Sequence, residues 1–213
     1  MRWPRRALAN AGLFCLALTL RLSAQVIEFE SNGLHYKTLT KNGLTIMFAM
    51  LPSHIRNYAI IQAAVENGSP VSWTVKPEDF VYIRSDGQEI RAGDAETVVD
   101  ALVEKAGRGD VIRLVTTYEG VLYGNPQYKS STNGYEVRRQ NALAEVTSTK
   151  IKAAAAASAI AFVKTKLNPG ESTDGAVFFD SSGKPLGPGK LLVHAAGAVF
   201  EFPNENPAAH PDN

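Results

Sequence analysis

The hydrophobic period of this chain changes twice, and that segmentation limits its fold more than any other feature. Residues 26–92 alternate apolar and polar positions and are rich in β-formers; residues 94–166 switch to helical spacing; residues 167–203 return to alternation. Leu44 to Met50 and Tyr58 to Asn67 read as strands, followed by shorter ones over Val71 to Val75 and Phe80 to Ile83. Ser85-Asp86-Gly87 then turns the chain into a hairpin partner at Gln88-Glu89-Ile90. Strands before and after a helical stretch must pair with each other to complete one core.

In the middle zone Asp94 is placed to cap a helix starting at Ala95, with Val98, Leu102 and Ala106 on one face and Gly107 beyond its end. A second segment runs from Asp110 to Leu122, and a loop from Gly124 to Gly134. The longest helix is expected from Tyr135 to Lys166. Val146, Ala153, Ile160 and Leu167 recur every seven residues there as an apolar stripe. Asn168-Pro169-Gly170-Glu171 reads as the turn that ends it. Strands are expected at Ala176 to Phe179, Leu191 to His194 and Ala198 to Phe202, with a turn at Asp180 to Gly183.

Residues 1–24 read as an export signal: Arg2, Arg5 and Arg6, then an apolar run from Ala11 to Leu20, then small residues ending at Ala24. The run is too short for the roughly 20 residues that span a bilayer, so no membrane span is expected after cleavage. Removing residues 1–24 takes four of the 22 basic residues and none of the 21 acidic ones, leaving a net charge of −3. That balance offers no footprint for nucleic acid. The one cysteine, Cys15, lies inside the apolar run, so the processed chain has no disulfide, thiolate metal site or thiol nucleophile. The expected location is periplasmic or extracellular.

Two segments resemble a small immunoglobulin-like module found in many exported bacterial proteins of unknown function. One is Val65-Glu66-Asn67-Gly68-Ser69-Pro70 with the following Pro77-Glu78-Asp79-Phe80. The other is Leu167-Asn168-Pro169-Gly170-Glu171-Ser172 leading into Gly175-Ala176-Val177-Phe178-Phe179. The resemblance implies an immunoglobulin-like antiparallel β-sandwich over residues 25–203; the strand, helix, strand order makes the chain α+β, with a helical insertion at 94–166 that has no counterpart in the plain module, and the polar, proline-containing end, 204–213, reads as a disordered tail. The alternative is a two-layer α+β domain with the long helix on one sheet. The module brings no catalytic residues with it, and a fold alone does not confer a function.

Motifs that carry chemistry are sparse. His35, His54, His194 and His210 lack the spacing of a metal site, and no cofactor motif is present. His194 lies in an apolar strand and reads as a packed histidine. Gly183 to Lys190 departs from a phosphate loop in spacing and carries two prolines. Asn67-Gly68-Ser69 matches a glycosylation acceptor but is followed by proline. The chain therefore reads as a non-catalytic binding or assembly module of the bacterial cell envelope, with an envelope protein or glycan as partner. Tyr118, Tyr123, Tyr128 and Tyr135 surround the central loop, and tyrosine is favoured at interfaces, so they are the expected contact residues. The competing class is a hydrolase with dispersed catalytic residues, in which His194 would work with Asp180 or Glu201.

Overall fold

A computed structural model describes residues 25–52, 55–105, 112, 115–116, 118–120, 134–144 and 158–204. Residues 1–24, His54, Tyr123, Tyr128 and residues 205–213, His210 among them, lie outside them. The strands are β1 (Ile27–Ser31), β2 (Leu34–Lys41), β3 (Leu44–Met50), β4 (Tyr58–Asn67), β5 (Trp73–Val75), β6 (Phe80–Arg84), β7 (Glu89–Arg91), β8 (Thr165–Leu167), β9 (Ser172–Asp180), β10 (Gly189–Ala195) and β11 (Ala198–Asn204). Helices α1 (Ala95–Lys105) and α2 (Tyr135–Ala144) stand between β7 and β8.

The strands form mostly antiparallel sheets: a first sheet ordered β1-β2-β3-β4-β9, a second ordered β11-β10-β6-β7, and a ribbon of β5 with β8. Early strands thus pair with late ones, as the segmentation requires. β4 pairs with β9 along its length, from Tyr58 opposite Asp180 to Glu66 opposite Ser172. Asn32-Gly33 and Asn42-Gly43 join β1 to β2 and β2 to β3. All four have positive φ, the geometry that tight hairpin turns demand and that Asn-Gly supplies.

The two large sheets share one core, an arrangement compatible with a β-sandwich. Ile46, Phe48, Ile61, Val65, Val177 and Phe179 from the first sheet meet Phe80, Tyr82, Leu191, Val193, Phe200 and Phe202 from the second. Phe48 and Phe202 pack edge to face with centroids 5.0 Å apart. Each such buried side chain contributes about 1.5–3 kcal/mol.

The first sheet is covered on its other face too. Tyr36, Ala49, Ile60, Ala176 and Phe178 meet Val98 and Val99 of α1, together with Tyr118, Tyr135, Ala159 and Ile160. This explains why β4 and β9 are buried at nearly every position rather than at alternate ones. Asp94 caps α1 as expected: its Oδ1 accepts from the N–H groups of Glu96 at 3.0 Å and Thr97 at 3.2 Å.

The long helix does not reach Lys166. Residues 165–167 are β8, in which Thr165 and Leu167 point inward and Lys166 outward. Leu167 joins the two-sheet core, whereas Ile160 packs on the opposite face of the first sheet. The seven-residue stripe therefore does not share one helix face. Its members Val146 and Ala153 lie outside the described residues. Pairing with β5, Trp73 opposite Leu167, overrides local helix preference there.

Candidate functional site

The two sequence segments behind the module resemblance meet in space. The Asn67 N–H donates to the Glu171 carbonyl at 2.9 Å, and the Gly170 N–H to the Asn67 carbonyl at 2.7 Å. The Asn67 side chain is fully buried. Its Nδ2 donates to the carbonyls of Val71 and Leu167, and its Oδ1 accepts from the N–H and hydroxyl of Ser69. Trp73 Nε1 donates to Ser69 Oγ at 2.9 Å. With its amide so engaged, Asn67 is no glycan acceptor; it is the knot that sets the β5–β8 ribbon beside the sheets.

That ribbon forms one side of an open groove. β5 and the short 3-10 turn Pro77–Asp79 pack against β10. Between them and the β10–β11 hairpin lies an open groove of about 610 Å³, lined by Thr74, Lys76, Asp79, Lys164, His194 and the hairpin residues 195–199. Strand alternation turns the lysines outward: Val75 and Thr165 are buried, while Thr74, Lys76, Lys164 and Lys166 are exposed. Thr74 stands opposite Lys166 in the ribbon.

The hairpin is fixed from the far side. Lys41 Nζ donates to the Val199 carbonyl at 2.6 Å and lies over the Phe200 ring, 5.9 Å from its centroid. Asn42 Nδ2 donates to the Ala196 carbonyl at 3.0 Å. The Val199 side chain remains 43% exposed.

Asp79 is the acid of the groove. Partial burial pushes its carboxyl above the ordinary carboxylate range. The Lys76 N–H, which donates to Asp79 Oδ2 at 2.9 Å, and the Lys76 charge draw it back down. Glu78 raises it further, and His194 lowers it.

His194 is exposed at the rim of this groove and is not a packed core residue. Its position on β10 alternates with the inward Val193 and Ala195, so the apolar run around it belongs to the other face. Glu201 and Asp180 are engaged elsewhere. Glu201 forms an ion pair with Lys190 at 3.0 Å. Asp180 closes its own turn, its Oδ1 accepting from the Ser182 N–H at 3.1 Å.

Tyr118 and Tyr135 are not surface residues. They are 0% and 1% exposed, and their rings meet edge to face at 5.3 Å. Tyr118 Oη donates to Asp174 Oδ2 at 3.1 Å, and the Tyr135 N–H reaches both carboxylate oxygens of Asp174 at 3.3 Å. Tyr135 Oη donates to Glu119. Arg138 donates to the carbonyls of Ala159 at 2.9 Å and Asp174 at 2.7 Å. Burial pulls the Arg138 guanidinium below its ordinary value, and Tyr118 and Asp174 oppose that shift. These groups bind the helical layer to the first sheet.

The groove residues Thr74, Lys76, Asp79 and Lys164 were not singled out in the sequence. One signal was present: Lys164-Thr165-Lys166-Leu167 alternates with period two, the pattern of a half-buried strand. Among the described residues, no group of three or more His, Cys, Asp or Glu side chains is placed to hold a metal ion, and no helix is long and apolar enough to cross a membrane. No family model, curated protein or solved structure matches this chain.

Proposed function

We propose that this chain is an exported, non-catalytic binding or assembly module of the bacterial cell envelope, working in the periplasm or outside the cell. The reading takes the two-sheet core as an immunoglobulin-like scaffold and the segment between β7 and β8 as a helical insertion laid on it. Residues 1–24, with their basic, apolar and small-residue order, support export. One observation carries the binding role: the open groove in which Thr74, Lys76, Asp79, Lys164 and His194 converge beside a pinned hairpin. A concave surface with a few convergent polar groups is the form a ligand site takes. Tyr118 and Tyr135 are buried and Tyr123 and Tyr128 lie outside the described residues, so the groove is taken as the contact surface, with an envelope protein or glycan as its partner.

The test is site-directed photo-crosslinking in the native host. A photoreactive residue replaces Val199 at the groove, and in a second variant Glu28 on edge strand β1. Adducts at position 199 and none at position 28 are expected. Adducts at 28 alone, or at neither position in well-expressed protein, contradict the proposed surface.

A further inference from the structure

We propose that the groove recognises acidic glycans, sugar or polyol chains that carry oxyanions among their hydroxyls; this rests on reading the groove as the contact surface. Three kinds of group face it. Lys76, Lys164 and His194 offer positive charge or N–H donors, and Lys166 extends the row along the exposed face of the ribbon. Thr74 and Asp79 offer a hydroxyl and a carboxylate, which pair with sugar hydroxyls. Ala195, Ala198 and Val199 offer small apolar patches against which a ring's C–H face can rest.

The spacing suits an extended ligand. Side chains on one face of a strand recur about every 7 Å, two rises of about 3.3 Å. Lys164, the residue before β8, and Lys166 on it are both exposed two positions apart, and so present cations at an interval that a repeating anionic chain can follow. The surroundings narrow the class. The processed chain is net negative, so it has no broad field to gather nucleic acid, and the basic patch is local. Asp79 would repel a ligand that presents anions alone. A chain that alternates oxyanions with hydroxyls uses both the lysines and the acid.

The oxyanion could be a carboxylate, as in uronic acid polymers, or a phosphodiester, as in polyol phosphates. Titration of the chain purified from its native host separates the two, using a galacturonate hexamer, a glycerol phosphate hexamer, a neutral glucose hexamer and hexaglutamate. At least one acidic glycan should bind, more weakly as salt rises. Lys76→Ser with Lys164→Ser should weaken it about tenfold or more, roughly 1.4 kcal/mol. Lys76→Arg with Lys164→Arg should keep binding, and Lys184→Ser on a distant turn should leave it unchanged. Both target lysines are exposed, so the fold survives these changes. Failure of both acidic glycans overturns the assignment, as does equal binding by the paired serine variant. Binding of the glucose hexamer or hexaglutamate alone also overturns it. If that binding is lost on changing His194, the groove keeps its role as contact surface while the ligand class falls.

Discussion

The side-chain amide of Asn67 donates to the backbone carbonyl of Leu167 at 3.1 Å, joining residues a hundred positions apart. The same nitrogen donates to Val71 at 2.8 Å. Both donors are spent on carbonyls in a buried site, so an oxygen in place of that nitrogen would face two acceptors. Asn67→Asp should cost about 2–4 kcal/mol at neutral pH, the range for breaking a buried hydrogen-bond network. Protonating the new carboxyl restores one donor, so the deficit should shrink as pH falls. Urea midpoints of both proteins across the acid range check this; a deficit independent of pH would show that the amide donors do not matter.

Gly175 allows the segment at Phe162 to lie directly on β9. A Cβ at position 175 would stand 2.5 Å from the Phe162 Cα and 2.6 Å from its nitrogen. Both atoms are backbone, so neither can swing away. The Phe162 N–H donates to the Ala176 carbonyl at 2.8 Å, and this bond would be strained with it. Gly175→Ala should therefore destabilise by at least about 1–3 kcal/mol, as overpacking does, and should expose the Phe162 N–H to hydrogen exchange. Wild-type protection of the Phe162 amide in this variant would contradict the contact.

Asp174 lies beneath Tyr118 and Tyr135 at 1% exposure. Tyr118→Phe keeps the ring and deletes one donor to this carboxylate, which predicts a loss of about 1–3 kcal/mol. Because the pair lies between the helical layer and the first sheet, the loss should appear first as faster exchange in α2 while β6 and β10 stay protected. A uniform loss of protection across the molecule would refute that layered picture.

Two acids give opposite slopes of stability with pH. Burial raises the folded pKa of Asp79 above its unfolded value. The folded state then holds its proton longer, so this group makes stability fall as pH rises through the acid range. Hydrogen bonds from Thr97 lower the folded pKa of Asp94. Its contribution is present above the unfolded pKa and is lost as pH falls. Asp79→Asn should remove the first slope and Asp94→Asn the second, measured as urea midpoint against pH. A single common direction for both variants would contradict the assignment.

Much of this fold was legible in alternation and turn residues. β3 and β4 begin and end where the apolar pattern places them, and Asp94 and the Ser85-Asp86-Gly87 turn act locally as their chemistry dictates. β1 and β2 were signalled by Asn32-Gly33 and Asn42-Gly43, but only when those pairs are read as hairpin turns. β8 was obscured because its period-two alternation spans only Lys164 to Leu167, directly beyond an alanine-rich run of helical composition, and its partner β5 lies far away in sequence. Burial of Tyr118 and Tyr135 was hidden for the same reason: Asp174, which fixes them, arrives 56 and 39 residues later. The groove, too, is made by three chain segments that only the folded topology brings together.

The central claim is that the groove beside the β10–β11 hairpin is where this protein meets its partner. Amide NMR of the isotope-labelled chain, titrated with glycans extracted from the host envelope, tests it residue by residue. Shifts confined to Thr74, Lys76, Asp79, Lys164 and residues 194–199 are the predicted result. Shifts centred on β1 or α1 with the groove unchanged, or no shifts with glycan and envelope proteins alike, would contradict it.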